Sequence, residues 1–217
     1  MISCKNQNIK KVVYASSSSV YGNTKLSPKT EGSEGAVLSP YALSKKTNEE
    51  YAHMYAKTYE LQLVGLRYFN VFGPRQNPNG AYSAVIPRWI NDAIAGEEIN
   101  IFGDGLNSRD FCYISNVVYA NLLAATKDSD ASESYSKVFN VACGESTSLN
   151  KLFEQIQAEL KAFGASKIPS KPNYLAPRKG DVKSSLGDIS SINEKLGYSP
   201  LVKFNEGLSK TIKAFLA

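Results

Sequence analysis

Lys10-Lys11-Val12-Val13-Tyr14-Ala15 opens the pattern that decides the fold. Its β-branched and aromatic residues, preceded by lysines, predict a buried strand. A polar loop runs from Ser16-Ser17-Ser18-Ser19-Val20-Tyr21-Gly22 to Leu38. Ser39-Pro40 then predicts a helix start, because a serine hydroxyl can accept from free N–H groups and proline suits the first helical position. No glycine or proline interrupts 41–59, which predicts one continuous helix. Leu61-Gln62-Leu63-Val64-Gly65-Leu66-Arg67-Tyr68-Phe69 predicts the next strand. Strand, helix and strand with short connections make a βαβ unit, which requires a parallel sheet with helices on its faces.

Beyond Pro74 the segment 82–95 predicts a helix with Pro87 near its first turn. A short strand is expected at 98–102, closed by Gly103-Asp104-Gly105, another at 110–114, and a helix at 116–126. The run 137–142 predicts a further buried strand and 148–163 a helix. The Pro/Lys-rich segment 166–185 predicts irregular chain, and helices near 189–196 and 204–216 complete the pattern. A doubly wound nucleotide-binding sheet usually begins with a strand, a Gly-rich turn and a helix whose N-terminus takes phosphates. Neither that glycine pattern nor a P-loop occurs in the sequence. The expected fold is therefore α/β: the C-terminal half of a Rossmann-type parallel sheet plus a smaller α/β lobe.

Composition narrows the chemistry. The chain has 217 residues, enough for a full core, and its 42% apolar and 21% charged content argues against intrinsic disorder. No apolar run approaches the roughly 20 residues that span a bilayer. Met1-Ile2-Ser3-Cys4-Lys5-Asn6-Gln7 lacks a signal peptide's apolar stretch. Three cysteines (Cys4, Cys112, Cys143) without a CxxC pair fit a reducing, cytoplasmic setting and no metal site. A single histidine, His53, leaves a Ser-His-Asp mechanism almost nothing to work with. The net charge of +5 suits an anionic small molecule, and no nucleic-acid or membrane partner is expected. His53, Trp89 and Cys143 carry only structural expectations.

Tyr41-Ala42-Leu43-Ser44-Lys45 is the most specific local pattern. On a helix, positions i and i+4 share a face, so the Lys45 ammonium can sit beside the Tyr41 phenol and favour the phenolate, a usable base toward an alcohol. Alone, such a spacing is more often a surface pair. Its context is what carries weight. The serine run before Val20-Tyr21-Gly22, the Ser39-Pro40 cap, and Arg67-Tyr68-Phe69-Asn70-Val71-Phe72-Gly73-Pro74 follow in order. Gly103-Asp104-Gly105, Ser108-Arg109-Asp110-Phe111, Phe139-Asn140-Val141 and Pro177-Arg178-Lys179-Gly180-Asp181 come after them. Over essentially its whole length the sequence resembles the extended short-chain dehydrogenase/reductase family, in its NAD-dependent epimerase/dehydratase branch.

That resemblance implies roles residue by residue. Tyr41 is the catalytic base, Lys45 the lysine that favours the phenolate and holds the nicotinamide ribose, and Ser17 the catalytic hydroxyl, with Ser16 competing for that position. Phe69 lies by the nicotinamide, so Ser16, Ser17, Tyr41, Lys45 and Phe69 form the implied NAD contacts. Ser18 touches substrate and Asn70 contacts the sugar diphosphate. Ala84, Val85, Asn100, Ile101 and Phe102 line the nucleotide pocket. Arg109 and Arg178 contact diphosphate and uridine ribose, as guanidinium geometry allows, and Asp181 accepts from the ribose. Residues 1–75 are then the partial NAD-binding Rossmann domain. Residues 76–217 are mainly the substrate-binding lobe, with about 108–145 returning to the sheet. A homodimer through the helix bearing Tyr41 and Lys45 is also implied.

Family dehydratases and decarboxylases carry an acidic residue just after the catalytic hydroxyl. Ser18 and Ser19 stand there instead, leaving oxidation and re-reduction at C4, a 4-epimerisation. Ser185, four positions beyond Asp181, is small where a bulky residue can wall the sugar pocket. It leaves room for a 2-acetamido group, so the expected substrate is UDP-N-acetylglucosamine/UDP-N-acetylgalactosamine. A UDP-glucose or UDP-glucuronate 4-epimerase is the enzyme alternative, the latter favoured by a basic residue placed for the sugar carboxylate, with Lys183 and Arg88 as candidates. A non-catalytic nucleotide- or RNA-binding relative is the other. The missing phosphate turn implies an enzyme whose first ~100 residues are not in this chain, and a strand at 12–15 with an unpaired edge if the piece folds alone.

Overall fold

The computed structural model describes residues 1–80, 84–127, 136–178 and 181–217. In chain order the elements are α1 (Ile2–Asn6), β1 (Lys11–Ser17), a 3-10 turn (Ser18–Tyr21), α2 (Pro40–Tyr59), β2 (Gln62–Tyr68), β3 (Val71–Phe72), α3 (Val85–Ala95), β4 (Asn100–Phe102), β5 (Ser108–Arg109) and β6 (Cys112–Tyr113). They continue with α4 (Ile114–Thr126), β7 (Ser136–Val141), β8 (Thr147–Ser148), α5 (Leu149–Ala162), β9 (Asn173–Leu175), β10 (Ser184–Ser185), α6 (Ser190–Leu196) and α7 (Phe204–Leu216).

The βαβ unit forms as the sequence predicts. β1 pairs in parallel with β2, from Lys11 opposite Gln62 to Ser17 opposite Tyr68, and β2 pairs in parallel with β7. The order β1-β2-β7 leaves the outer edge of β1 without a partner strand among the described residues. Side chains alternate across this sheet, as the two-residue period of a strand requires. Val12, Tyr14 and Leu63 pack with Ala52 and Ala56 of α2, whereas Val13, Val64 and Leu66 pack with Val117, Ala120 and Ala124 of α4. Helices therefore cover both faces, and small alanines let them approach closely.

A second core lies among α3, α5 and α7. Trp89, Ile90, Phe111, Phe153, Phe204 and Leu208 belong to it, with Phe111 and Phe204 stacked at 5.5 Å between centroids. Three expectations shift. The strand expected at 110–114 divides into β5 and β6, because Asp110 turns inward and its carboxylate accepts N–H bonds from Cys143 (2.8 Å), Gly144 (3.0 Å) and Gly187 (3.2 Å). The segment expected to be irregular, 166–185, supplies β9 on β4 and β10 on β5, both parallel. The third helix starts at Val85 among the described residues; its expected first positions, Tyr82 and Ser83, lie outside them, as do Lys179 and Gly180. Gly22 ends the 3-10 turn at φ 54°, with the Ala36 carbonyl where a Cβ would stand, so a side chain there is excluded twice over.

Candidate active site

The site is assembled at the C-terminal ends of β1 and β2, where an open α/β sheet presents its crevice. Ser39 caps α2 by accepting from the Ala42 N–H at 3.1 Å, which fixes where the helix begins and hence where Tyr41 and Lys45 stand. The Lys45 ammonium lies 5.7 Å from the centre of the Tyr41 ring and donates to the Ala15 carbonyl of β1 at 3.1 Å. Tyr41 is exposed, with its phenol at the mouth of a cleft of about 580 Å³. Ser17, the last residue of β1, accepts from the Ser19 N–H at 3.2 Å.

Ser16, Ser17, Ser18, Tyr41, Asn70, Arg109 and Ser185 line this cleft together. A second cleft of about 360 Å³ adjoins it and shares Asn70, Val71 and Arg109. Ala84, Val85, Asn100, Ile101, Phe102, Arg178 and Asp181 line the second cleft. In it the Arg178 guanidinium lies 3.6 Å above the Phe102 ring centre. Arg109 binds Asp181 (2.6 Å) and the Val182 carbonyl (2.6 Å), and Asp181 also accepts from Asn107 at 2.9 Å. Asp110 ties the clefts together through its main chain: its carbonyl accepts from Asn70 at 3.0 Å and its N–H donates to the Ser185 carbonyl at 2.6 Å.

Phe69 is placed differently from Ser17 and Tyr41. Its ring is fully buried against Tyr21 and Ala142, and its neighbours Tyr68 and Asn70 line the first cleft instead. Ser16 is 2% exposed and donates to Glu49 at 2.5 Å. Beneath the serines sits a charge cluster with no local signature in the sequence. Arg67 of β2 meets Glu49 of α2 through two hydrogen bonds, pairs with Glu34, and stacks 4.9 Å from the Tyr21 ring centre. Burial pushes the Tyr21 phenol up to about 12, and its O–H donates to Asn140 at 2.7 Å. Burial likewise raises the Asp110 carboxyl to about 6, against the lowering effect of its three N–H donors. Lys29, another residue without a local signature, is 5% exposed and lines the first cleft. Of the two basic candidates for a sugar carboxylate, Arg88 lines the second cleft and pairs with Asp92 at 3.6 Å, while Lys183 lies outside both clefts.

A parallel βαβ sheet with Tyr-x-x-x-Lys beside a serine at a strand end, opening onto an arginine-lined cleft, defines a short-chain dehydrogenase/reductase site. The chain belongs to the NAD dependent epimerase/dehydratase family, whose profile matches residues 2–142. It is 44% identical to the UDP-N-acetylglucosamine 4-epimerase from Methanobrevibacter ruminantium M1, solved in complex with UDP-N-acetylmuramic acid, at a TM-score of 0.89. That match covers 99% of this chain and 66% of the other. It is 36% identical to the UDP-glucose 4-epimerase of Thermotoga maritima, solved with UDP-glucose, at a TM-score of 0.88 over 98% of this chain and 65% of that one. The UDP-glucose 4-epimerase of Mycolicibacterium smegmatis is 35% identical over 208 residues, which are 95% of this chain and 63% of the relative. The chain thus spans just under two thirds of the length of each of these relatives.

Proposed function

We propose that this chain carries the catalytic and sugar-nucleotide portion of an NAD-dependent 4-epimerase of UDP-hexoses, with UDP-N-acetylglucosamine and UDP-N-acetylgalactosamine as the substrate pair. One observation carries this reading: the cleft bearing Tyr41 and Ser17 runs into the arginine-lined cleft through shared residues, Asn70 and Arg109. A sugar nucleotide with its diphosphate near Arg109 and Arg178 then has its hexose beside the tyrosine. Guanidinium groups suit that diphosphate because their planar donors match its oxygens.

Tyr41, Lys45 and Ser17 fit the nicotinamide end of the cofactor, with Lys45 placed to hold the ribose. When bound, NAD supplies the reversible oxidation of the sugar at C4. The chain's own residues handle the proton. Tyr41 accepts the proton of the sugar 4-hydroxyl and returns it after the sugar has turned over. The Lys45 ammonium stands beside that acceptor, 5.7 Å from its ring centre. Ser17, fixed by its bond to the Ser19 N–H, can donate its own O–H to the sugar O4 and hold it toward Tyr41. Ser18 and Ser19 carry no carboxylate, so no acid stands there for elimination of water.

Ser185 supports the acetylated substrate, because a small side chain on the first cleft leaves space for a 2-acetamido group. The setting consistent with this reading is the cytoplasm. The exposed face of α2, with Leu43, Tyr51 and Met54, offers a surface for a second copy of the chain. Saturation-transfer NMR on the 217-residue chain tests the central claim. UDP-N-acetylglucosamine is expected to bind through both uracil and acetamido protons and to be displaced by UDP. Absence of binding overturns it.

A further inference from the structure

The three cysteines are all free thiols, and two of them meet inside the fold. Cys112 opens β6, and Cys143 lies just beyond the end of β7. Asp110 brings the two segments together, because its carboxylate accepts from the Cys143 N–H at 2.8 Å and the Gly144 N–H at 3.0 Å. Cys112 belongs to a core cluster with Val117 and Tyr198, Cys143 packs against that cluster, and the two thiols share a hydrogen bond. Asn116, fully buried, donates to the Cys143 sulfur at 3.6 Å, and the Cys112 sulfur lies 4.0 Å from the Tyr198 oxygen. Neither cysteine lines either cleft, so the proposed epimerisation makes no use of them.

The two thiols differ in a way that gives each a role. Cys143 is partly exposed, whereas Cys112 is fully buried. The bond from the Cys112 thiol, joined by the Asn116 N–H, holds Cys143 below the ordinary thiol range, so more of it is thiolate. The same bond, together with burial, holds Cys112 above that range. A thiolate that solvent can reach is the sulfur an oxidant meets first, and a thiol beside it is the one that resolves the product. Cys4 stands apart, on α1.

We propose that Cys143 and Cys112 form a reversible oxidation site that hydrogen peroxide converts to a disulfide. The Cys143 thiolate attacks one peroxide oxygen and the O–O bond breaks. A sulfenic acid forms on Cys143, and the other oxygen leaves as hydroxide, which takes up the proton that Cys143 released. The Cys112 sulfur then attacks the Cys143 sulfur. The S–S bond forms as the S–O bond breaks, and the departing hydroxide takes the Cys112 proton to become water. The thiol pair is oxidised by two electrons, and the peroxide is reduced to two waters. In a reducing compartment the bond is transient, since a dithiol reductant reopens it. The link adds a covalent tie where the Asp110 carboxylate already holds both segments, and the Asp110 main chain in turn holds Asn70 and Ser185 of the clefts. This chemistry is independent of what the clefts bind.

Thiol counting tests it. The reduced, folded 217-residue chain is treated with a small excess of hydrogen peroxide, then denatured, counted for thiols and digested for mass spectrometry. The count is expected to fall from three to one, with the Cys112 and Cys143 peptides linked and Cys4 free, and dithiothreitol is expected to restore all three. Cys112→Ser is expected to stop at the sulfenic acid, trapped by dimedone on Cys143. Cys143→Ser is expected to leave the Cys112 thiol intact. Three thiols surviving the peroxide, or a link that includes Cys4, overturns the proposal. A dimedone adduct on Cys112 does the same. The unmodified chain decides even where a variant does not fold.

Discussion

Arg67 and Glu49 meet fork to fork, with Nε 2.9 Å from Oε1 and Nη2 2.7 Å from Oε2. Because Ser16 donates to the same Glu49 carboxylate, this one side chain of α2 holds both β1 and β2. The helix bearing Tyr41 and Lys45 is thereby fixed against the strand bearing Ser17. Removing one partner of a buried ion pair leaves the other unmet, which costs about 3–5 kcal/mol. Glu49→Ala is expected to fall near the lower end, since Glu34 still faces Arg67. Urea unfolding checks this: an unchanged midpoint contradicts the fixing role.

Tyr41→Phe removes the proposed proton acceptor and little else, because the side chain is exposed. In an NAD-supplemented assay that converts UDP-N-acetylglucosamine to UDP-N-acetylgalactosamine, a loss of about 10²–10⁴-fold is expected, the range for a positioned acid–base group. UDP-sugar affinity is expected to stay within about twofold, roughly 0.4 kcal/mol. Wild-type turnover by the variant rules Tyr41 out as the base.

Ser185→Tyr fills part of the first cleft, which Tyr41 also lines. The variant is expected to weaken UDP-N-acetylglucosamine by about tenfold or more while affecting UDP-glucose less, the scale of a steric clash in a packed site. Titration of both ligands reads the ratio, and an unchanged ratio removes Ser185 from the choice of sugar.

Asp110 gives a pH signature. Its folded carboxyl is pushed up to about 6 by burial, above its ordinary value of 3.8. Between those values the folded state keeps a proton that the unfolded chain has released. Stability is therefore highest below about pH 4 with respect to this group, and falls as pH rises toward about 6, by up to about 3 kcal/mol. Unfolding free energies across about pH 4–6 are expected to slope downward, and more gently in Asp110→Asn. A steeper slope in the variant contradicts the assignment.

The α2 surface provides the last test. Leu43, Tyr51 and Met54 are each more than half exposed. Sedimentation is expected to show a dimer that Tyr51→Glu with Met54→Glu converts to monomer. A wild-type monomer at high concentration excludes this interface.

The sequence predicts the βαβ core well because it rests on local signals: alternating strands, a serine cap and a proline at the helix start. Tyr41 and Lys45 are legible for the same reason, since a spacing of four on a helix fixes their shared face. Lys29 is not, because Pro28-Lys29-Thr30 resembles any solvated loop. Its burial arises from contacts with Leu186 and Asp188, far along the chain. Glu49 and Arg67 are hidden likewise: each looks like an ordinary surface charge until α2 folds onto β2. The strand expected at 110–114 fails for a tertiary reason, because three distant N–H groups draw Asp110 inward.

The bond from Lys45 to the Ala15 carbonyl has a mechanical consequence. Ala15 belongs to a strand whose outer edge is unpaired among the described residues, so the ammonium beside Tyr41 takes its position from an edge strand of the sheet. A strand laid along that edge would brace the carbonyl that holds Lys45 beside Tyr41.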